Sequence, residues 1–192
     1  MTGRAVGIAV ALALTALGAP ESWAQAPETF TATATVQRGS TRGVTAQASA
    51  NFVVTINRYA SEDERAAAQQ AVREGGTAAL RKKLSTMRDA GVIQLGERKT
   101  PVKFASERTT DSGRLITVVT AEPILHLGAG VAGSKPRAGF DVAVALLDLK
   151  TGNAGMGELA PAAKVGVDAG GAFLIEDYGS AVVWLEGLAR AR

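Results

Sequence analysis

The chain of 192 residues has no cysteine and only one histidine, His126. Without a thiol it cannot form disulfides, use a cysteine nucleophile, or hold zinc or an iron–sulfur cluster through cysteine. Aromatic residues make up 5% of the chain, so surfaces on which sugar rings or bases could stack are scarce. The remaining composition, 46% hydrophobic and 20% charged with a net charge of +3, is typical of a single globular domain.

The sequence also lacks the common catalytic and cofactor motifs. It contains neither a G-x-S-x-G elbow nor H-E-x-x-H. A formal G-x-G-x-x-G occurs at 128–133, but Pro136 and Gly139 prevent the helix that would bind a pyrophosphate. The P-loop pattern fails as well, because Ser134 separates Lys135 from the last glycine, and the acidic residues lack the spacing of a calcium loop. We therefore expect no cofactor and no metal ion, and we assign no catalytic residue.

Long apolar runs are limited to the N-terminus. Ala5–Leu17 follows Arg4 and is free of charge, but its 13 residues fall short of the roughly 20 that span a bilayer. Small residues at Ser22 and Ala24 suit a signal peptidase. The sequence therefore predicts a signal peptide at 1–24 and a single domain at 25–192. We expect that domain to be periplasmic or secreted from a bacterium and to contain no membrane span.

The pattern after the signal peptide is mainly that of β-strands. Apolar residues alternate with polar ones in a first strand, Phe30–Val36, and a second, Ala50–Tyr59, which we expect to pair as a hairpin. Further strands are predicted at 92–95, 101–105, 114–119, 140–149, 164–167, 172–176 and 181–185. The stretch 140–149 is apolar on both faces, which predicts a central strand covered on both sides.

Two helices are predicted between the second and third strands. Ser61–Glu64 matches a capping box, and the helix that follows is expected to stop at Gly75-Gly76. Thr77 then caps a second helix, whose apolar side chains recur with a helical period as far as Met87. The predicted fold class is therefore α+β: an antiparallel, strongly curled sheet of about eight strands with a two-helix hairpin on one face. A flat two-layer sandwich is the alternative.

Four segments carry a resemblance to known proteins. They are the threonine–alanine first strand, Glu74–Leu80 between the helices, Gly113–Ile116 ahead of Pro123-Ile124, and Glu176–Tyr178. Together they make the chain after the signal peptide resemble a set of small secreted bacterial proteins of unknown function. The resemblance implies that this architecture recurs in exported proteins, and it implies no activity.

Six residues are candidates for contact with a ligand or an anion. His126 lies between two leucines, where a lone histidine usually has a structural role, and three more candidates lie in or after the glycine-rich loop. Two aromatic residues are suited to a sugar or lipid site, although their expected place is the core. The six candidates are His126, Ser134, Lys135, Arg137, Tyr178 and Trp184.

Charge is distributed unevenly along the chain. Basic residues outnumber acidic ones between Arg81 and Arg114, and the reverse holds from Phe140 onward. The two zones either neutralise each other in the fold, which we favour, or mark an anionic component of the cell envelope as a partner. Nucleic acid is not expected as a partner, because the basic zone lacks interleaved aromatic residues and the chain is predicted to be exported.

The function predicted from these features is non-enzymatic. We expect the domain to bind a small apolar or amphipathic ligand, or an envelope component, in the concavity of its sheet. One alternative is a hydrolase, which two buried carboxylates converging in a cleft with raised pKa values would indicate. The other is a structural or protein-interaction module, which a solid core with an exposed apolar patch or an open sheet edge would indicate.

Overall fold

The computed structural model describes residues 26–38, 46–124, 137–152, 154–179 and 182–191. These ranges hold nine strands and one helix. In chain order they are β1 (Glu28–Arg38), β2 (Ala46–Ile56), α1 (Glu62–Ser85), β3 (Gly91–Leu95), β4 (Arg98–Thr110), β5 (Gly113–Thr120), β6 (Val142–Lys150), β7 (Ala154–Val167), β8 (Phe173–Asp177) and β9 (Val183–Arg190). Within the described part of the chain, no helix is both long enough and apolar enough to cross a membrane.

Eight of the strands form a closed antiparallel barrel. Each strand from β1 to β7 pairs with the next, β7 also pairs with β9, and β9 returns to β1, where Trp184 lies opposite Thr35. The ninth strand, β8, pairs with β7 outside the barrel. Closure of the ladder leaves none of the eight barrel strands as an open sheet edge.

The predicted α+β class, with its curled open sheet, is therefore wrong, and so is the flat sandwich. The error lies mainly in β7, of which only 164–167 was predicted. Residues 154–163 are rich in glycine and alanine and include Pro161, a composition with little intrinsic preference for a strand. They nevertheless pair with β6 on one side and β9 on the other, and these two ladders close the barrel.

The predicted two-helix hairpin is also wrong. The predicted interruption at Gly75-Gly76 is found, because both residues leave helical dihedral angles, with Gly76 at φ 62°. The result is a kink within one element, α1, and not a hairpin of two helices. Thr77 does not cap a second helix. Its hydroxyl accepts a hydrogen bond of 2.8 Å from the backbone N–H of Val165, so its hydrogen-bond donor comes from β7 and not from the backbone of the helix. The capping box is confirmed, because Ser61 and the side chain of Glu64 each accept from the other's backbone N–H.

Two apolar clusters hold these elements together. The inner cluster fills the barrel with side chains from all eight barrel strands, as expected for a barrel of this strand number. The outer cluster lies between α1, β8 and the outer faces of β4 to β7. Strand β6 contributes Ala145 to the inner cluster and Val144 to the outer one, which confirms the prediction of a strand covered on both sides.

A buried ion network lies where β1 begins and β9 ends. The carboxylate of Glu28, only 4% exposed, accepts from the hydroxyl of Tyr59 at 2.6 Å and from Arg114 Nη2 at 2.8 Å. Arg190 forms an ion pair with the same carboxylate at 3.2 Å, and Arg114 also donates to Glu107 at 2.9 Å. The buried charge is thus both paired and hydrogen-bonded, which offsets the cost of removing it from water.

This network makes stability depend on pH. Burial raises the pKa of Glu28, but hydrogen bonds from Arg114 and Tyr59 and the charges of Arg114 and Arg190 outweigh it, so the pKa lies below its ordinary value of 4.5. The ionised carboxylate therefore stabilises the fold above pH 4.5, and the contribution is lost as the pH falls through the folded-state pKa. We expect urea unfolding to show a gap in stability between the wild type and Glu28→Gln that is constant near neutral pH and shrinks below about pH 4.5. A gap that stays constant down to about pH 3 would contradict this assignment.

Candidate functional site

A groove of about 500 Å³ lies on the outer surface of the barrel, beside α1. Its floor is the outer face of β4 to β7, one wall is the first half of α1, and the other wall is the turn before β8 together with β8. This volume falls within the range of small-molecule sites, roughly 300 to 1,000 Å³. The candidate site is therefore outside the barrel, whereas the sequence predicted a ligand in the concavity of the sheet, a space that the inner cluster of side chains occupies.

Strand register builds the floor of the groove. Ser106 on β4 lies opposite Thr117 on β5, Thr117 lies opposite Leu146 on β6, and Leu146 lies opposite Glu158 on β7. All four line the groove. Because directly opposed residues of an antiparallel pair share one face, this row runs across four strands as a continuous surface.

The two walls are joined by a hydrogen bond. Gln69 Nε2 on α1 donates to the carbonyl oxygen of Gly171 at 2.8 Å. Gly171 has a φ of 82°, which favours glycine, and a Cβ there would lie 2.9 Å from the same Nε2 and displace the Gln69 side chain. The rings of Phe104 and Phe173 meet edge to face with centroids 5.1 Å apart and give the groove an apolar end. The lining is thereby held in place without a ligand.

A phenol and a carboxylate meet in the groove. The Tyr178 hydroxyl donates to Glu158 Oε1 at 2.6 Å. Burial raises the pKa of Tyr178, and the hydrogen bond to Glu158 and the charge of that carboxylate raise it further. The phenol therefore stays protonated at neutral pH and acts as a hydrogen-bond donor, not as a base.

Charged side chains lie on both sides of the groove. Arg108 lies on β4, and α1 begins beside β4, because the N–H of Ala60 donates to the Ala105 carbonyl. Arg65, near the start of α1, is therefore on the same side.

Two carboxylates line this side as well, and each is paired. Glu62 pairs with Arg65, and Glu107 pairs with Arg114. Arg108 is therefore the lining arginine without an ion pair among the described residues. Glu158 lies on β7, three strand spacings or about 14 Å from β4 along the barrel surface.

The structure brings together two of the six predicted residues. Tyr178 lines the groove and bonds to Glu158, and Trp184 on β9 lies directly opposite Glu158 in the strand register. Trp184 is 50% exposed, so the expectation that it belongs to the core is wrong. The period of two explains this, because Val183 and Leu185 take the inward positions on β9 and leave Trp184 facing out.

Of the other four predicted residues, Arg137 is described and does not line the groove. Arg137 is exposed, and its guanidinium carbon lies 4.6 Å from the centroid of the Phe140 ring. His126, Ser134 and Lys135 lie outside the described residues.

Sequence reasoning missed most of the groove. Arg65, Gln69, Arg108 and Glu158 belong to no recognisable motif. Their common signal is position, since Arg108 and Glu158 occupy outward positions on strands and Arg65 and Gln69 lie one helical turn apart on α1. That signal becomes readable only when the strand register is known.

The evidence expected for a hydrolase is not found in the described ranges. Glu28 is the one buried carboxyl group there, and its pKa is lowered by its arginine and tyrosine partners rather than raised. No group of three or more histidine, aspartate or glutamate side chains in these ranges is arranged to hold a metal ion.

Comparison of the chain with protein-family models, with curated proteins and with solved structures found no match. The resemblance to small secreted bacterial proteins therefore stays a prediction, and the function has to be argued from the geometry of the groove.

Proposed function

We propose that this protein binds a small amphipathic ligand in the outer groove and does not convert it chemically. The observation that carries the proposal is a lining that combines apolar side chains, such as Leu146 and Phe173, with charged and hydrogen-bonding groups in a space of about 500 Å³. Small-molecule sites combine apolar side chains with placed polar groups, and a lining that is as polar as it is apolar suits an amphipathic ligand rather than a purely apolar one.

The rigidity of the groove supports this proposal. The hydrogen bond from Gln69 to the Gly171 carbonyl fixes one wall against the other. The hydrogen bond from the Val165 N–H to the Thr77 hydroxyl fixes α1 against β7. A preformed site loses less conformational entropy on binding than one that must be ordered by the ligand.

We also propose that the domain acts outside the bacterial cytoplasm, after cleavage of a signal peptide at Ala24. N-terminal sequencing of protein recovered from the periplasm or the culture medium tests this. A chain that starts at Gln25 supports export, and a chain found only in the cytoplasm with Met1 retained contradicts it.

Native mass spectrometry gives a direct test of ligand binding. The protein is purified from its own cells without denaturation, and its mass is compared before and after organic extraction. A small molecule that co-purifies and is lost on extraction supports the proposal, whereas recovery of the bare chain alone weakens it.

A variant that fills the groove is expected to lose the ligand. Thr117→Tyr places a large side chain on the floor between Ser106 and Leu146, so we expect the ligand-bound fraction in native mass spectra to fall by about tenfold or more. Thr31→Tyr is the matched control, because Thr31 also faces outward on a barrel strand but does not line the groove. Equal ligand retention by the two folded variants would place the binding site elsewhere.

A further inference from the structure

We infer that the ligand of the outer groove is an anionic amphiphile, whose carboxylate or phosphate head group binds Arg65 and Arg108 and whose short apolar tail lies on the floor. This inference rests on the proposed function and adds the chemical class of the ligand and its orientation.

The hydrogen-bonding state of the lining is the first argument. Each of the four carboxylates that line the groove already has a donor, and the donor to Glu107 is Arg114. Glu62 pairs with Arg65, Glu158 accepts from Tyr178, and Asp168 Oδ1 accepts from the backbone N–H of Ala172 at 2.8 Å. A cationic ligand would have to compete with these bonds.

The donors of the groove are less well satisfied than its acceptors. Arg65 Nη2 is bonded to Glu62, but Arg65 Nε is buried and has no hydrogen-bond partner among the described residues. Arg108 lines the groove too; its side chain is exposed, and no described side chain forms an ion pair with it. A buried donor without a partner costs free energy that a ligand acceptor would recover. The lining therefore favours a ligand that supplies acceptors, and carboxylate and phosphate oxygens are the groups that guanidinium binds best.

The position of Arg108 fixes the orientation. An anionic head near Glu158 would be repelled, so it lies at the β4 side beside Arg108 and Arg65, about 14 Å away. Leu115 is directly opposite Arg108, and Leu146 lies one strand further towards β7. An apolar chain that leaves the head group towards β7 therefore meets Leu115 and then Leu146.

A series of probes with one tail and different head groups tests the inference. Decanoate, decyl phosphate, decan-1-ol and decylammonium are titrated into the full chain by isothermal calorimetry, below their micelle concentrations. We expect both anions to bind about tenfold more tightly than the alcohol, and the ammonium to bind most weakly. The ratio of decanoate to decyl phosphate affinity then distinguishes the two kinds of anionic head.

Variants assign the head group to the arginines. Arg108→Gln is expected to weaken decanoate binding by about fivefold and to leave decan-1-ol unchanged. Arg98→Gln is the matched control, because Arg98 is an exposed arginine on the same strand outside the groove and should change neither affinity. Arg65→Gln gives a second reading if Arg108→Gln fails to fold, which circular dichroism checks.

The outcomes separate the two proposals. Equal affinity for all four probes, or tightest binding of decylammonium, overturns the anionic ligand and leaves the groove as a binding site. Binding of none of the probes, together with a bare chain in native mass spectra, overturns the proposed function and this inference with it. A loss of decanoate affinity that is the same in Arg98→Gln and Arg108→Gln overturns the assignment of the head group to the groove.

Discussion

Glu28→Ala is expected to lower the free energy of unfolding by about 3 kcal/mol, measured by urea denaturation at neutral pH. The substitution removes a carboxylate that accepts from Tyr59 and Arg114 and pairs with Arg190, and it leaves two guanidinium groups without their central partner. Removing one partner of a buried ion pair typically costs 3 to 5 kcal/mol. We place the effect at the lower end because both arginines retain access to water, with side chains 23% and 42% exposed.

The matched control is Glu107→Ala, which removes the second carboxylate bonded to Arg114. Its side chain is 38% exposed, so water screens the pair and the expected loss is about 1 kcal/mol or less. Similar losses for the two variants would mean that burial of Glu28 does not determine the strength of the network.

Phe52→Ala is expected to cost about 3 to 5 kcal/mol, also by urea denaturation. The Phe52 ring is fully buried in the inner cluster, where its directly opposed neighbours are Ala32 on β1 and Leu95 on β3. Ala32 is too small to fill the space left by the ring, so the cavity persists and adds to the lost transfer free energy.

Val53→Ala provides the comparison for this second variant. Val53 is the next residue of β2, and it faces outward and is only partly buried. Its truncation is expected to cost about 1 kcal/mol or less. A loss at Val53 that equals or exceeds the loss at Phe52 would contradict the assignment of the inner face of β2.

Local sequence patterns predicted the hairpins and not the closed barrel. The alternation in Phe30–Val36 and in Ala50–Tyr59 identified β1, β2 and their pairing, and the strands predicted at 101–105 and 114–119 lie within β4 and β5, which also pair. The pairing of β1 with β9 joins residues such as Phe30 and Arg190 that are far apart in the chain, and no local pattern encodes such a register. The first part of β7 has a composition unfavourable to strands, and its place in the barrel is set by the neighbours on both sides.

The candidate site was predictable only in its aromatic residues. Tyr178 and Trp184 were selected by residue type, and the structure places both beside Glu158. The arginines of the groove were not predictable, because Arg65 and Arg108 lie on a helix and a strand that come together only after α1 packs on the barrel. The lining of the groove is formed by residues that strand register brings together, and not by a contiguous sequence motif.

The pairing of β1 with β9 has a consequence for how the barrel assembles. In the barrel β1 pairs with β2 on one side and with β9, the last strand, on the other. The N–H of Ala191, just after β9, also donates to the carbonyl of Thr29 on β1. During synthesis, β1 therefore keeps an unpaired edge until residues 183–190 have left the ribosome. Contacts between such distant segments form slowly, since the loop entropy is lost before the ladder is gained. Closure of the barrel is therefore expected to be a late step of folding, after the ladders between strands that are neighbours in the chain have formed.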